Sequence, residues 1–218
     1  MKKFSLFLIL ICVFAFFGCS TNKSAKLEAT FSTNDVATLS IFSFNGKGES
    51  KYGIKNLGHS FLSITNNSTS NITIAGKEIE PNEEIYFGAW SLSVHFGIWY
   101  NVESNYIEFY NKYNGRVSVD KGITIEDIET ISDFILANDT WTPVNNCSRF
   151  AIRCWNSVAK ESEKLDLRLV NTPTKLIKNL KKFENFEINK PLNIYTDCGY
   201  FSNETSETFV FTGGEAYA

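Results

Sequence analysis

The stretch VNNCSRFAIRCWNSV, residues 144–158, places Cys147 directly after two asparagines and at the start of a pattern typical of a buried helix. A helix that begins at Asn145 or Asn146 would hold the thiol in its first turn, at the positive end of the helix dipole and beside backbone N–H groups that lack helical partners. Both features favour thiolate over thiol. An ordinary thiol, with a pKa of about 8.5, is only a few per cent ionised at pH 7, so a downward shift would make Cys147 a nucleophile. The alternative roles are a small core residue or one half of a disulfide.

Only two histidines, His59 and His95, could supply the imidazole that a cysteine hydrolase needs to take and return a proton. His59 opens the segment GHSFLSIT, residues 58–65, where alternation predicts a strand with His59 on the opposite face from Leu62 and Ile64. His95 lies in SVHFGIWYN, at the start of another predicted strand. From the residues alone, each histidine is either a candidate base or a structural side chain.

The elements that would position these residues follow from composition and periodicity. Short segments rich in β-branched and aromatic residues predict an antiparallel sheet. They are ATLSIFSF, GHSFLSIT, NITIAG, EIYFG, HFGIWY, YIEFY and RVSVD, which begin at residues 37, 58, 71, 84, 95, 106 and 116. Period-two alternation then gives way to helical spacing after residue 123.

Three helices are predicted in the second half of the chain. The first has Thr124 and Asp127 as a capping box and runs to about Asn138. The second carries a single apolar stripe and the third has a Thr-Pro start, with Thr172 as cap and Pro173 as first residue. The stripe of the second is Cys147, Phe150, Ala151, Cys154 and Val158, and the buried face of the third is Leu176, Ile177, Leu180 and Phe183. The predicted fold class is α+β, an antiparallel sheet packed against a few helices, with the thiol at a helix N-terminus.

The amino terminus predicts export. Lys2 and Lys3 precede an apolar run, residues 4–17, which is shorter than the roughly 20 residues that span a bilayer. Gly-Cys at its end resembles a bacterial lipobox, although the two phenylalanines before it depart from that pattern. We therefore expect residues 1–18 to be a lipoprotein signal peptide and Cys19 to be the lipid attachment site, with ordinary secretion as the alternative. Residues 19–218 would form a single domain, held by its lipid on a membrane of the bacterial cell envelope, outside the cytoplasm.

Cysteine pairing stays open in the sequence. Beyond Cys19, the exported chain would keep Cys147, Cys154 and Cys198, an odd number in a compartment where disulfides persist. Cys147 and Cys154 on one helix would be about 10 Å apart along its axis, too far for a bridge. A Cys154–Cys198 bridge, a Cys147–Cys198 bridge and no bridge at all therefore remain.

Composition argues against several functional classes. The chain has 21 basic and 24 acidic residues, a formal net charge of −3, and no basic block, so nucleic acid is not an expected partner. The separated histidines and scattered carboxylates show no metal-ligand spacing. The nearest glycine-rich segment, NGKGES, lacks the phosphate-loop pattern. No cofactor or metal is therefore expected.

Two motifs resemble a known family. Gly58-His59 followed by a short apolar strand, and far downstream Asn146-Cys147-x-x-Phe-Ala opening a helix, resemble the circularly permuted NlpC-type branch of the papain-like fold, kin of lecithin:retinol acyltransferase. Histidine precedes cysteine here, as in the permuted branch. The resemblance covers Gly58 to about Val158. It implies that Cys147 is the nucleophile and His59 the general base. A third polar residue on the next strand would orient the imidazole, and Asn71 is the position expected, with Thr73 as the alternative.

The resemblance also implies a reaction. Cys147 would attack an amide or ester carbonyl in a cell-wall peptide or, next, a lipid acyl substrate, and transfer to another acceptor than water would make an acyltransferase with the same residues. The aromatic cluster FGAWSLSVHFGIWYN supports a different class. If Trp99 and Tyr100 were exposed, they would be substrate contacts, and with Cys147 bridged to Cys198 the chain would be a non-catalytic binding or adhesion lipoprotein on an inactivated papain-like scaffold.

Overall fold

A computed structural model describes residues 27, 29–46, 58–92, 94–110, 113–195, 197–202 and 208–210. The expected signal peptide, residues 1–18, and the expected lipid attachment site Cys19 lie outside the described residues. Within the described part, no helix is long and apolar enough to cross a membrane.

Eight strands of the described chain form an antiparallel sheet in the order β10-β9-β6-β5-β2-β1-β7-β8. The sheet strands are β1 (Ala37–Phe44), β2 (His59–Asn66), β5 (Glu84–Ser91), β6 (Phe96–Tyr100), β7 (Val117–Ile123), β8 (Glu187–Ile188), β9 (Asp197–Tyr200) and β10 (Thr208–Val210). A separate hairpin comprises β3 (Ile72–Ile74) and β4 (Lys77–Ile79). The register of β1 and β2 sets Phe44 opposite His59 and Ser43 opposite Ser60.

Within the described residues, four α-helices accompany the sheet: α1 (Val102–Tyr110), α2 (Ile125–Ala137), α3 (Cys147–Ser157) and α4 (Pro173–Leu180). The predicted caps are confirmed. Thr124 and Asp127 form the capping box of α2, and Thr172 caps α4 with Pro173 as its first residue. These side chains satisfy backbone N–H groups that the first turn of a helix leaves without partners.

The segment YIEFY, predicted as a strand, lies in α1 and corrects that expectation. Asn101 precedes the helix with a positive φ of 58°, which turns the chain out of β6. The helix then packs against β5 and buries Val102, Glu103 and Ser104 completely. Tertiary packing has therefore overridden the β-propensity of the aromatic residues.

The sheet has two covered faces. Helices α2, α3 and α4 pack on one face, over the main core that includes Leu62, Ile64 and Phe150. On the other face Phe61 joins a smaller cluster with Phe42 and Tyr86, against which residues 192 and 195 pack. The predicted alternation along β2 is thus confirmed, and the fold is α+β with an antiparallel sheet and a few helices.

The amino-terminal part of the described chain is fixed to the domain. Leu27 donates its N–H to the carbonyl oxygen of Lys182 at 3.1 Å, and its own carbonyl accepts from the N–H of Glu184 at 2.8 Å. Thr30 donates its N–H and its hydroxyl to Glu163 Oε1 at 3.2 and 2.7 Å. The other oxygen of Glu163 pairs with Lys121 at 3.4 Å, and both of these side chains are at most 3% exposed.

Candidate functional site

Helix α3 begins at Cys147, so the thiol lies in the first turn as the sequence predicts. Asn146 is the N-cap, and its Oδ1 accepts from the N–H of Arg149 at 3.1 Å. The amide nitrogen of the same side chain donates to the carbonyl oxygen of Asn171 at 3.0 Å. The cap is therefore held from both sides, and Cys147 is held half-buried at the helix start.

Strand β2 brings His59 to this thiol. Helix α3 packs on β2 and the thiol hydrogen-bonds the His59 ring. The N–H of Ser60 and the hydroxyl of Ser148 also contact the sulfur. His59 is 7% exposed. Cysteine and histidine, far apart in the chain, thus form one pair.

The pair is polarised toward thiolate and imidazolium. Burial alone would lower the pKa of His59, but the negative charge of Cys147, its hydrogen bond and the Glu103 carboxylate together raise that pKa to about 9. Burial alone would raise the pKa of Cys147, but the His59 cation and the hydrogen bonds from His59, Ser60 and Ser148 bring it below its ordinary value. Opposite charges in contact favour each other's charged form. The arrangement therefore stabilises both the thiolate form of Cys147 and the protonated form of His59.

Glu103, in the first turn of α1, contacts the histidine from the other side. Its Oε1 accepts from His59 Nε2 at 3.0 Å and from Trp90 Nε1 at 2.8 Å. The carboxylate is fully buried, and its Oε2 has no partner in the described structure. Because Glu103 occupies Nε2, Nδ1 is the ring nitrogen left available to the thiol. The sequence does not single out Glu103, because residues 106–110 have strand composition and hide the helix that begins at Val102; an acid two residues after Asn101, in the first turn of that helix, is the available signal.

Two glycines allow this close approach. A Cβ at Gly88 would lie 2.7 Å from Glu103 Oε1 and 3.2 Å from His59 Nε2. Gly58 has a φ of 82°, and a Cβ there would lie 2.3 Å from the carbonyl oxygen of Phe44. A side chain at either position would push apart the backbone or the ion pair, so the space around His59 requires glycine.

Asn71 is not at the histidine. It precedes β3, and its side-chain nitrogen donates to Glu78 Oε1 at 2.6 Å on the exposed surface. Thr73, the alternative position, is exposed on β3. The carboxylate that contacts the His59 ring comes from α1, so the third polar group comes from a different element than the sequence predicts.

Trp99 and Tyr100 are core residues, which corrects the expectation that they contact substrate. They are 0% and 1% exposed. The indole N–H of Trp99 donates to the carbonyl oxygen of His95 at 3.0 Å, and Tyr100 packs edge-on against Phe201. Both rings stabilise the sheet around β6, and neither offers a surface to a ligand.

His95 has its own acid partner. Its Nε2 lies 2.8 Å from Asp139 Oδ1, and its ring stacks on Tyr200 with centroids 4.3 Å apart. The same carboxylate oxygen accepts from the N–H of Ile98 at 2.7 Å. This pair ties β6 to the segment that leads into α3. Of the two histidines, the structure brings His59 to Cys147.

The cysteine alternatives are resolved in the structure. Cys147 and Cys154 are free thiols, so neither is bridged to Cys198. Cys154 is fully buried in the core, and burial raises its pKa far above the ordinary value. Cys147 therefore differs from Cys154 both in exposure and in the direction in which its pKa is shifted.

No protein-family model, no curated protein and no solved structure matches this chain. The site is therefore interpreted from its own geometry. Among the described residues, no group of three or more His, Cys, Asp or Glu side chains is arranged to hold a metal ion.

Proposed function

We propose that this chain is a cysteine hydrolase in which Cys147 is the nucleophile, His59 the proton carrier and Glu103 the residue that orients and charges the histidine. The observation that carries the proposal is the continuous contact from Glu103 through His59 to a half-buried free thiol at a helix N-terminus. A nucleophile, a base in contact with it and a third group that holds the base are the geometric requirements of this class.

The chemistry follows from the charge state of the pair. The Cys147 thiolate adds to a carbonyl carbon, and the C=O electron pair moves to the oxygen. Backbone N–H groups in the first turn of α3 have no helical acceptor and can bind that oxyanion. Protonated His59 gives its proton to the departing amine or alcohol as the carbon–leaving group bond breaks, which leaves a thioester. Water then attacks the thioester while His59 takes its proton, and the acid and thiolate are released.

The particular enzyme we propose is an exported, lipid-anchored amidase or peptidase of the bacterial cell envelope with a permuted papain-like arrangement, acting on cell-wall peptide. The arrangement is supported by the order His59 then Cys147 and by α3 packing on β2. Export, the lipid on Cys19 and the wall substrate are supported by the signal-like amino terminus and the family resemblance.

The binding-lipoprotein alternative is weakened at both features that favoured it. It required Cys147 to be bridged and the aromatic residues around β6 to be exposed. Cys147 is free, and Trp99 and Tyr100 are buried, so that Phe96 at the start of β6 is left as the exposed aromatic residue of that strand. A half-buried thiol whose pKa is lowered by contact with an imidazole is common in active sites, and a passive scaffold does not require one.

The test is a comparison of the purified protein with its Cys147→Ala and His59→Ala variants on peptide fragments of bacterial cell wall, with products identified by mass spectrometry. We expect cleavage by the parent chain and no cleavage by either variant. Cys154→Ala is the matched control, since that thiol is buried in the core, and it should retain activity if the variant folds. Unchanged turnover in Cys147→Ala would remove the enzymatic proposal.

A further inference from the structure

Three buried serine hydroxyls link the sulfur of Cys147 to the first residue of α4. Ser148, next to the nucleophile, contacts the sulfur and lies with its Oγ 2.9 Å from Ser60 Oγ. Ser60 Oγ is 2.9 Å from Ser43 Oγ on the neighbouring strand. Ser43 Oγ in turn lies 3.0 Å from the carbonyl oxygen of Pro173. All three serines are 0% exposed, and they belong to α3, β2 and β1.

If both serine–serine hydrogen bonds are kept and every hydroxyl proton is donated, the protons of these three serines have only two arrangements. Each hydroxyl has one proton, and the Pro173 carbonyl can only accept. If Ser43 donates to Pro173, then Ser60 must donate to Ser43 and Ser148 to Ser60, which leaves no proton for the sulfur. If Ser148 donates to the sulfur, every bond reverses and the Pro173 carbonyl loses its serine donor. The three serines therefore donate a hydrogen bond either to the sulfur of Cys147 or to the Pro173 carbonyl, but not to both.

We propose that Ser148, Ser60 and Ser43 form a two-state hydrogen-bond chain that reverses when Cys147 ionises, with Ser60 and Ser43 as positioning residues that tune how readily the thiolate forms. This inference rests on the proposed function, in which Cys147 is the nucleophile. A thiolate is a strong acceptor and a thiol a weak one, so ionisation draws the Ser148 proton to the sulfur. Acylation removes the charge from the sulfur and returns the chain to Pro173.

Other groups also act on the thiol, and they stay in place when a serine is replaced. His59 on β2 contacts the sulfur, and Glu103 on α1 acts on the thiol through His59. The buried Tyr113, which follows α1, interacts electrostatically with both Glu103 and Cys147. Tyr106 on α1 lies next to Tyr113. A change in thiol titration on removal of one serine hydroxyl therefore reports on the chain.

The two ends of the chain give effects of opposite sign. Ser43→Ala removes the hydroxyl that donates to the Pro173 carbonyl oxygen. The thiolate then forms without the loss of that hydrogen bond, and the titration midpoint of Cys147 should fall by about half to one pH unit. Ser148→Ala removes the donor to the sulfur, so the midpoint should rise by at least about half a unit. A role in packing alone gives no reason for opposite signs.

The experiment measures the rate of Cys147 alkylation by iodoacetamide against pH in the full chain, with the modified peptide quantified by mass spectrometry. Ser118→Ala is the matched control, because Ser118 is a buried strand serine whose Oγ has no partner in the described structure, and its midpoint should equal that of the parent. The double variant Ser43→Ala/Ser148→Ala should titrate like Ser148→Ala. Without the Ser148 hydroxyl, the hydrogen bond from Ser43 to Pro173 no longer affects the sulfur.

If Ser43→Ala does not fold, Ser60→Ala interrupts the chain one link nearer the sulfur and should also lower the midpoint. The proposal is overturned if Ser43→Ala, or Ser60→Ala in its place, leaves the midpoint unchanged or raises it, or if the effects in the double variant simply add. Alkylation needs no substrate. Opposite shifts of the Cys147 midpoint in Ser43→Ala and Ser148→Ala, without turnover by the parent protein, would therefore support the serine chain and reject the proposed function. Turnover by the parent protein without these shifts would support the proposed function and reject the serine chain.

Discussion

Replacing Glu103 by Gln tests whether the carboxylate charges the histidine. The substitution keeps the size of the side chain and an oxygen that can accept from one donor, but removes a negative charge 3.0 Å from His59 Nε2. A hydrogen bond to a charged group contributes about 1.5–3 kcal/mol, and one pKa unit corresponds to about 1.4 kcal/mol. We expect the pKa of His59 to fall and that of Cys147 to rise, each by about one to two units.

The assay is the pH dependence of Cys147 alkylation, with turnover measured in parallel. At about pH 6, where only an activated thiol reacts quickly, alkylation of Glu103→Gln should be roughly tenfold slower or more. The variant should remain folded, because glutamine has nearly the same shape and volume as glutamate and His59 can lose its proton when its acidic partner is removed. A thermal melt checks this point.

Asp139→Asn is the matched control, since it removes a carboxylate 2.8 Å from the other histidine, His95. It should leave the titration of Cys147 unchanged. If Glu103→Gln titrated like the parent protein, or if Asp139→Asn moved the midpoint as far as Glu103→Gln, the assignment of Glu103 would be refuted.

Three further outcomes follow from the structure. Asn71→Ala should leave turnover and thiol titration unchanged, because Asn71 bonds Glu78 on the surface; a loss above tenfold would return Asn71 to the site. Turnover should fall as pH rises through about 9, where His59 loses the proton it gives to the leaving group, while alkylation, which needs only thiolate, should not fall; a midpoint near 7 for the loss of turnover would contradict this. Glu163→Ala should lower the free energy of unfolding in urea by about 3–5 kcal/mol, because it leaves Lys121 buried without its ion-pair partner; a change below about 1 kcal/mol would contradict the pairing.

Most strands and helix starts could be predicted because the local sequence preferences agree with the tertiary packing. Segments with strand composition became strands where one face was apolar, as along β2. Side-chain caps at Thr124, Asn146 and Thr172 fixed three helix starts to within a residue. The cysteine was found because a cap and an apolar stripe define where a helix begins and which residue stands in its first turn.

The parts that could not be predicted depend on contacts distant in sequence. YIEFY has strand composition, but burial of the preceding turn against β5 made it part of a helix. That error concealed Glu103, whose contact with His59 depends on how α1 packs against β5. The burial of Trp99 and Tyr100 could not be predicted either, since an aromatic segment has the same composition in a core as on a surface.

If Cys19 carries the proposed lipid, the attachment of Leu27 to the segment after α4 limits how far the domain can lie from the membrane. Seven residues lie between Cys19 and Leu27, and the eight Cα–Cα steps, at about 3.5 Å each, span no more than about 28 Å. With the proposed lipid on Cys19, the catalytic body would be confined to a thin layer above the bilayer. Its substrates would be those present within that layer, whatever their abundance elsewhere in the envelope.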